Sequence, residues 1–169
     1  MLASMRIYKL NCAMLTEKSI DETFAVFEDP YNLAKITPPW LSFLVTSKDH
    51  VTMRKGAEIQ YRIRWLGLPL HWKTLITDYE PPFWFVDEQA SGPYSLWRHH
   101  HTFAPSADGT LVQDEVQYAL PLGPLGVAAH RLLIGRQLIG IFQFRQRALK
   151  VLLGGNAKQT RPPVITCST

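Results

Sequence analysis

Three histidines stand in a row in the stretch GPYSLWRHHHTF, at His99, His100 and His101. Side chains of an extended chain alternate between faces, so His99 and His101 share a face with Trp97 and Phe103, and His100 looks the other way. Residues 110 to 120 alternate as well. Val112, Asp114, Val116 and Tyr118 fall on one side, Gln113, Glu115 and Gln117 on the other. Between the two runs lies Asp108-Gly109, a hairpin turn signal. Pairing Phe103 with Val112 puts His101 opposite Asp114, His99 opposite Val116 and Trp97 opposite Tyr118. This register gathers rings and β-branched residues on one buried face, with His99 and His101 inward and His100 wet.

A buried histidine beside a carboxylate admits four roles. The two can simply satisfy each other in a partly buried wall. With His99 they can offer polar contacts inside an apolar pocket. The carboxylate can orient the histidine and raise its basicity for acid–base catalysis, although the spacing implies no nucleophile or second base. His99 and His101 could also reach one metal ion with Asp114 as a third ligand. That spacing is common by chance, and no metal is expected.

The flanking sequence tells which elements hold these residues. Met5 to Met14 reads as a strand. Ser19 with Glu22 makes a capping box for a helix carrying Phe24, Val26 and Phe27, which stops before Pro30. A short helix over 31–36 and a strand over 41–47 follow, separated by TPPW. From Ala57 to Trp65 every second residue is apolar, which is a strand with one wet face. Setting Trp65 opposite Leu70 across LGLP aligns Ile63 with Trp72, Tyr61 with Thr74 and Ile59 with Ile76. Residues 83–89, FWFVDEQ, form another strand. A long helix is expected from Pro124 to about Leu153, with Val127, Ile134, Leu138, Ile141, Ala148 and Leu152 as its packing face. Gly154-Gly155 end it, and residues 154–169 read as a disordered tail. One helix must cover an antiparallel sheet. It cannot fill a strongly curved one, so a cavity between them is expected.

The totals suit one ordinary globular domain over residues 1–153. The chain has 169 residues, 46% hydrophobic and 19% charged, with a net charge of +4. Such a mild excess does not indicate nucleic acid. Two cysteines, Cys12 and Cys167, give no disulfide framework or zinc motif. Arg6, Lys9 and Asn11 interrupt any leader-like apolar run, and no stretch reaches the ~18 apolar residues of a membrane span. A cytoplasmic location is expected.

NLAKITPPWL at 32–41, the GLPL hairpin, FVDEQASGPYSLWRHHHTF at 85–103 and ALPLGPLG at 119–126 resemble the START-like superfamily, also called SRPBCC. Within it they are most similar to small proteins of the ligand-binding, polyketide cyclase/dehydrase-like branch. The resemblance runs from about Arg6 to Leu153. It implies an α+β helix-grip fold: a curved seven-stranded antiparallel sheet around a long C-terminal helix, with an internal hydrophobic cavity. It further implies that Phe85, Asp87 and Gln89 point inward, and that ITPPWL lies at the cavity entrance.

The leading expectation is binding of a small, mostly apolar metabolite such as a lipid, isoprenoid or polyketide-like compound. Trp40, Tyr61, Trp72, Trp97 and Tyr118 would form walls, while His99, His101, Asp114 and Asp87 would orient a polar group. The alternative is a cyclase, dehydratase or isomerase using His101 and Asp114 as an acid–base pair. A third class, a basic module for nucleic acid or anionic membrane, would use Arg131, Arg136, Arg145, Arg147 and Lys150 with Arg62, Arg64 and Lys73. Glu58, Glu80, Glu88 and Glu115 dilute that charge. No cofactor, nucleic-acid partner or membrane span is expected.

Overall fold

The structure is a computed structural model, and it describes residues 6–47, 49–155 and 159–168. Strand β1 spans Ile7–Thr16; Met5, the first residue expected in it, lies outside the described residues. Helix α1 spans Ile20–Glu28. Its capping box is present: Ser19 Oγ accepts from the Glu22 amide at 3.3 Å, and Glu22 Oε2 accepts from the Ser19 amide at 3.1 Å. Two short 3-10 turns follow, Pro30–Ala34 and Pro39–Leu41. The strand expected over 41–47 shrinks to β2, Leu44–Val45, because Pro39 and the left-handed Ser42 (φ 45°) hold the preceding residues in a turn.

Strands β3 (Glu58–Trp65), β4 (Leu68–Glu80), β5 (Trp84–Ser91), β6 (Leu96–Ser106) and β7 (Gly109–Ala119) form a continuous antiparallel meander. The β6–β7 register is the expected one: Phe103 faces Val112, His101 faces Asp114, His99 faces Val116 and Trp97 faces Tyr118. The β3–β4 register differs by two residues. Trp65 faces Leu68, Ile63 faces Leu70, Tyr61 faces Trp72 and Ile59 faces Thr74. Leu66 and Gly67 both take positive φ (50° and 81°), so the turn has two residues rather than a four-residue loop. A shift of two preserves facing, and the inward set is unchanged. Register breaks at Lys73/Thr74 and Ile76/Asp78 mark bulges between β4 and β5, which bend the sheet.

One helical stretch runs from Pro124 to Leu153 as α2 (Pro124–Ala129), a π-helical turn (His130–Ile134) and α3 (Gly135–Leu153). It is long and apolar enough to cross a membrane by length and composition. Among its apolar residues Leu125, Leu132 and Val151 are exposed, and Leu138, Phe142, Leu149 and Leu153 form the buried stripe. This stripe is rotated from the expected one, and Leu152 is 43% exposed.

The tail expected to be disordered contains strand β8, Arg161–Ser168, antiparallel to β1 with Tyr8 facing Cys167 and Leu10 facing Ile165. Pro162 and Pro163 read as breakers, but β8 is an edge strand, where a missing N–H is tolerated. The side-chain amide of Gln146 fastens it: Nε2 donates to the carbonyls of Arg161 (2.9 Å) and Ala13 (3.2 Å). The sheet therefore has eight strands, in the order β2-β3-β4-β5-β6-β7-β1-β8, rather than seven.

Candidate functional site

Between the sheet and the helical stretch lies a cavity of about 610 Å³. Its walls are apolar. Ile59, Tyr61, Ile63 and Trp65 come from β3, and Leu70, Trp72 and Ile76 from β4. Phe27 and Leu33 close one side; Ile134, Leu138, Ile141 and Phe142 form the roof. Leu122 and Leu125 line it as well and are 75% and 72% exposed, so the cavity meets solvent beside α2. Trp65 Nε1 donates to Gln137 Oε1 at 2.5 Å, tying the β3–β4 hairpin to α3.

One patch of the wall is charged. Asp87 on β5, His99 and His101 on β6 and Arg145 on α3 all line the cavity. Antiparallel pairing explains the grouping: Asp87 faces His99, Phe85 faces His101, and His101 faces Asp114 on the next strand. Asp114 lies behind the histidines and is not part of the lining. Its Oδ1 accepts from His99 Nε2 at 2.9 Å and lies 2.9 Å from His101 Nδ1. On the cavity side, Asp87 Oδ2 is 3.0 Å from His101 Nε2 and 3.6 Å from His99 Nδ1. The two rings lie 3.7 Å apart, and Phe85 stacks on His101 at 4.3 Å.

These contacts set the charges. Burial and the charge of His101 push His99 down to about 4, against the pull of Asp114 and Asp87. Burial also opposes a charge on His101, but Asp114 and Asp87 outweigh it and hold this imidazole above its ordinary value. Burial alone would raise both carboxylates. The histidines override it, with Asp87 below the usual range and Asp114 well below it. The cluster thus favours the charged form of His101, between two carboxylates, over that of His99. The Arg145 guanidinium, 3.8 Å from Asp114 Oδ1 and 5.3 Å above the Phe142 ring, balances the second carboxylate.

Six expected site residues line the cavity: Tyr61, Trp72, Asp87, Trp97, His99 and His101. Three do not. Trp40 is 51% exposed and lies in a separate shallow groove with Arg136, Gly140 and Phe144; of ITPPWL, Thr37 and Leu41 reach the cavity instead. Asp114 lies behind the histidines, where it also accepts from Cys12 Sγ at 3.7 Å. Tyr118 is fully buried behind the wall, bonded through its hydroxyl to His130 Nε2 at 2.7 Å. Gln89 holds the adjoining turn rather than a ligand position. Its side-chain amide donates to Tyr94 O at 2.8 Å and accepts from Tyr94 N at 3.2 Å. His100, expected to be wet, is half-buried on the outer face against the edge of Trp84.

Arg145 is the cavity-lining charge that sequence reasoning misplaces on a basic surface. Its side chain is only 12% exposed. The available signal is its spacing: positions 142, 145 and 149 fall on one helical face, and Phe142 and Leu149 are buried. Tyr94 is likewise missed from sequence, and lines the cavity beside Trp72 and Trp97. Asp87, His99 and His101 bring three donor atoms within 4.8 Å of one another. Asp87, rather than the expected Asp114, completes this cluster, while Asp114 Oδ1 lies 2.9 Å from the other nitrogen of each ring.

A curved antiparallel sheet gripping one long helix over an apolar cavity is the helix-grip architecture of START-like proteins. The chain belongs to the family described as polyketide cyclase / dehydrase and lipid transport, whose model matches residues 16–161. No curated protein matches it. Solved structures share the fold at low identity. Protein CV1439 from Chromobacterium violaceum is 16% identical, with a TM-score of 0.64 over 88% of this chain and 99% of that one. The di-domain ARO/CYC StfQ of the steffimycin biosynthetic pathway is 11% identical, with a TM-score of 0.66 over 88% of this chain and 51% of that one. Major latex-like protein 151 from Panax ginseng is 12% identical, with a TM-score of 0.62 over 88% of this chain and 98% of that one.

Proposed function

We propose that the protein binds a small, mostly apolar metabolite bearing one oxygen-rich end, of lipid, isoprenoid or polyketide-like character. The observation that carries this is the distribution of polarity: a cavity of about 610 Å³ is apolar on nearly every wall and charged on one. That volume lies within the range of small-molecule sites, in which a few placed polar groups set orientation. Three nitrogens on lining side chains are buried without a hydrogen-bond partner among the described residues: His101 Nδ1 lies against Asp114, and Arg145 Nη1 and Trp72 Nε1 are donors left for a ligand. A ligand carbonyl, phenol or carboxylate would satisfy them. The family's description, covering polyketide cyclases and lipid transport, supports the same ligand classes.

The test is native mass spectrometry of protein purified without added ligand, followed by denaturing release and titration with a fluorescent fatty-acid analogue. A discrete apolar adduct, or saturable binding at one site, is expected. Absence of any apolar ligand in both measurements would sink the idea.

A second reading, catalysis on the bound molecule, draws support from the geometry around His101. This ring lines the cavity, with Asp114 2.9 Å from its Nδ1 and Asp87 3.0 Å from its Nε2. A cyclase, dehydratase or isomerase needs a positioned proton donor or acceptor of that type. Asp114→Asn should then abolish turnover while apolar binding persists. Equal loss of binding and folding would return the pair to a structural role.

A further inference from the structure

The geometry points to a divalent transition-metal site made by Asp87, His99 and His101, opening onto the cavity, with Asp114 as the residue that orients the His99 imidazole. The inference rests on the cavity being the functional site and adds a cofactor class to it.

The near and far sides of the two rings are used differently. His99 Nε2 donates to Asp114 Oδ1 at 2.9 Å, and His101 Nδ1 lies 2.9 Å from the same oxygen. When both rings are neutral, protons on these far nitrogens face Asp114. The lone pairs of His99 Nδ1 and His101 Nε2 then face Asp87, whose Oδ2 lies 3.6 and 3.0 Å away. An ion about 2.1 Å from each donor separates neighbouring ligand atoms by about 3.0–3.5 Å, from octahedral to tetrahedral angles. The 3.0 Å between Asp87 and His101 fits such an edge, while the 3.6 Å to His99 and the 4.8 Å span of the three donor atoms must contract when an ion binds. Histidine ligands that donate their other N–H to a carboxylate are the usual arrangement in metal centres. Here Asp114 accepts in this way from His99, while His101 Nδ1 lies 2.9 Å from the same oxygen without the alignment of a hydrogen bond.

The position of the three ligands sharpens the assignment. All three line the cavity and Asp114 does not, so the ion would keep open coordination positions toward a bound molecule. Two imidazoles and one carboxylate suit a borderline ion such as Zn²⁺ or Fe²⁺ rather than Mg²⁺ or Ca²⁺, which require more oxygen ligands. Cation and ligand oxygen would then meet at the charged wall, within reach of Arg145.

The experiment uses the untagged full chain, stripped with chelator and titrated with ZnCl₂ by calorimetry and with CoCl₂ by visible absorption. One ion per chain is expected, with Co²⁺ bands of a low-coordinate N/O site. Cu²⁺ electron paramagnetic resonance should show coupling to two nitrogens. Asp87→Asn and His99→Ala should each weaken binding about 100-fold or more, and Asp114→Asn about 10–100-fold. His71→Ala, on an exposed strand position, should change nothing. Absence of Co²⁺ bands and of a two-nitrogen signal in the wild type overturns the site even if the variants fail to fold. Binding unchanged in Asp87→Asn overturns it too, placing the ion elsewhere. Apolar-ligand binding by the stripped protein is measured separately: if it persists without metal binding, only the metal site fails.

Discussion

The inner face of the sheet has two halves that meet different fates. Over β7 and β1 it is filled: Tyr8, Leu10, Cys12, Val116 and Tyr118 pack against Leu138 and Phe142 of α3. Over β3, β4 and β5 the same alternation of apolar side chains meets the cavity. One helix about 10 Å across cannot cover so many strands spaced about 4.8 Å apart. Where its cover runs out, the sheet's curvature leaves space. The charged cluster on β5 and β6 lies at the seam, where Phe142 touches His99 (5.5 Å between ring centres) and Phe85 touches His101. Cavity and polar site therefore follow from one cause, a cover narrower than the sheet.

The contrast can be broken by mutation, starting with stability. Leu10→Ala removes a fully buried side chain from the filled half and should cost about 2–5 kcal/mol in urea unfolding, because a new void opens. Leu70→Ala, on the cavity wall and half-buried, should cost less than about 1 kcal/mol, since it only enlarges a space already present. Equal losses would erase the distinction between the halves. Next comes Arg145→Met, which keeps length and removes the charge. It should leave the fold intact and lower affinity for the released ligand about 10–100-fold, the worth of a charged hydrogen bond. An unchanged affinity would remove Arg145 from the site.

Smaller effects sharpen the boundary. Ser19→Ala removes the cap of α1 and should cost about 1 kcal/mol. Because Phe27 belongs to α1 and lines the cavity, amide exchange should quicken along α1 and stay slow along β1. Finally, burial and Asp114 push the Cys12 thiol well above its ordinary range, while Cys167 on β8 is exposed. A disulfide reagent at pH 8 should therefore modify Cys167 in the native protein and Cys12 only after unfolding. Rapid reaction of both would mean that the filled half is not closed.

The β6–β7 hairpin is legible in the sequence because a strict alternation and a turn signal allow one register that matches apolar faces. That alone places His99, His101 and Asp114 together. The β3–β4 register is harder. Two alignments, two residues apart, bury the same set, and only the backbone at Leu66-Gly67 decides between them. Arg145 escapes notice because a charge on a helix reads as surface unless its neighbours three and four residues away are known to be buried. Strand β8 is hidden because two prolines in eight residues argue against a strand, yet an edge position makes them harmless. Trp40 is drawn to the cavity by a motif at the entrance; the ring turns outward while Leu41 beside it turns in.

The most direct test is to fill the cavity. Ile63 projects into it from β3, and Ile63→Trp should occupy part of the space without disturbing the packed half. A fluorescent apolar probe would be titrated into wild type and variant, with unfolding measured on both. One saturable site is predicted in the wild type and none in the variant, with the variant at least as stable as the parent. Equal probe binding by both, or a variant as destabilised as Leu10→Ala, would contradict an open cavity as the centre of this protein's function.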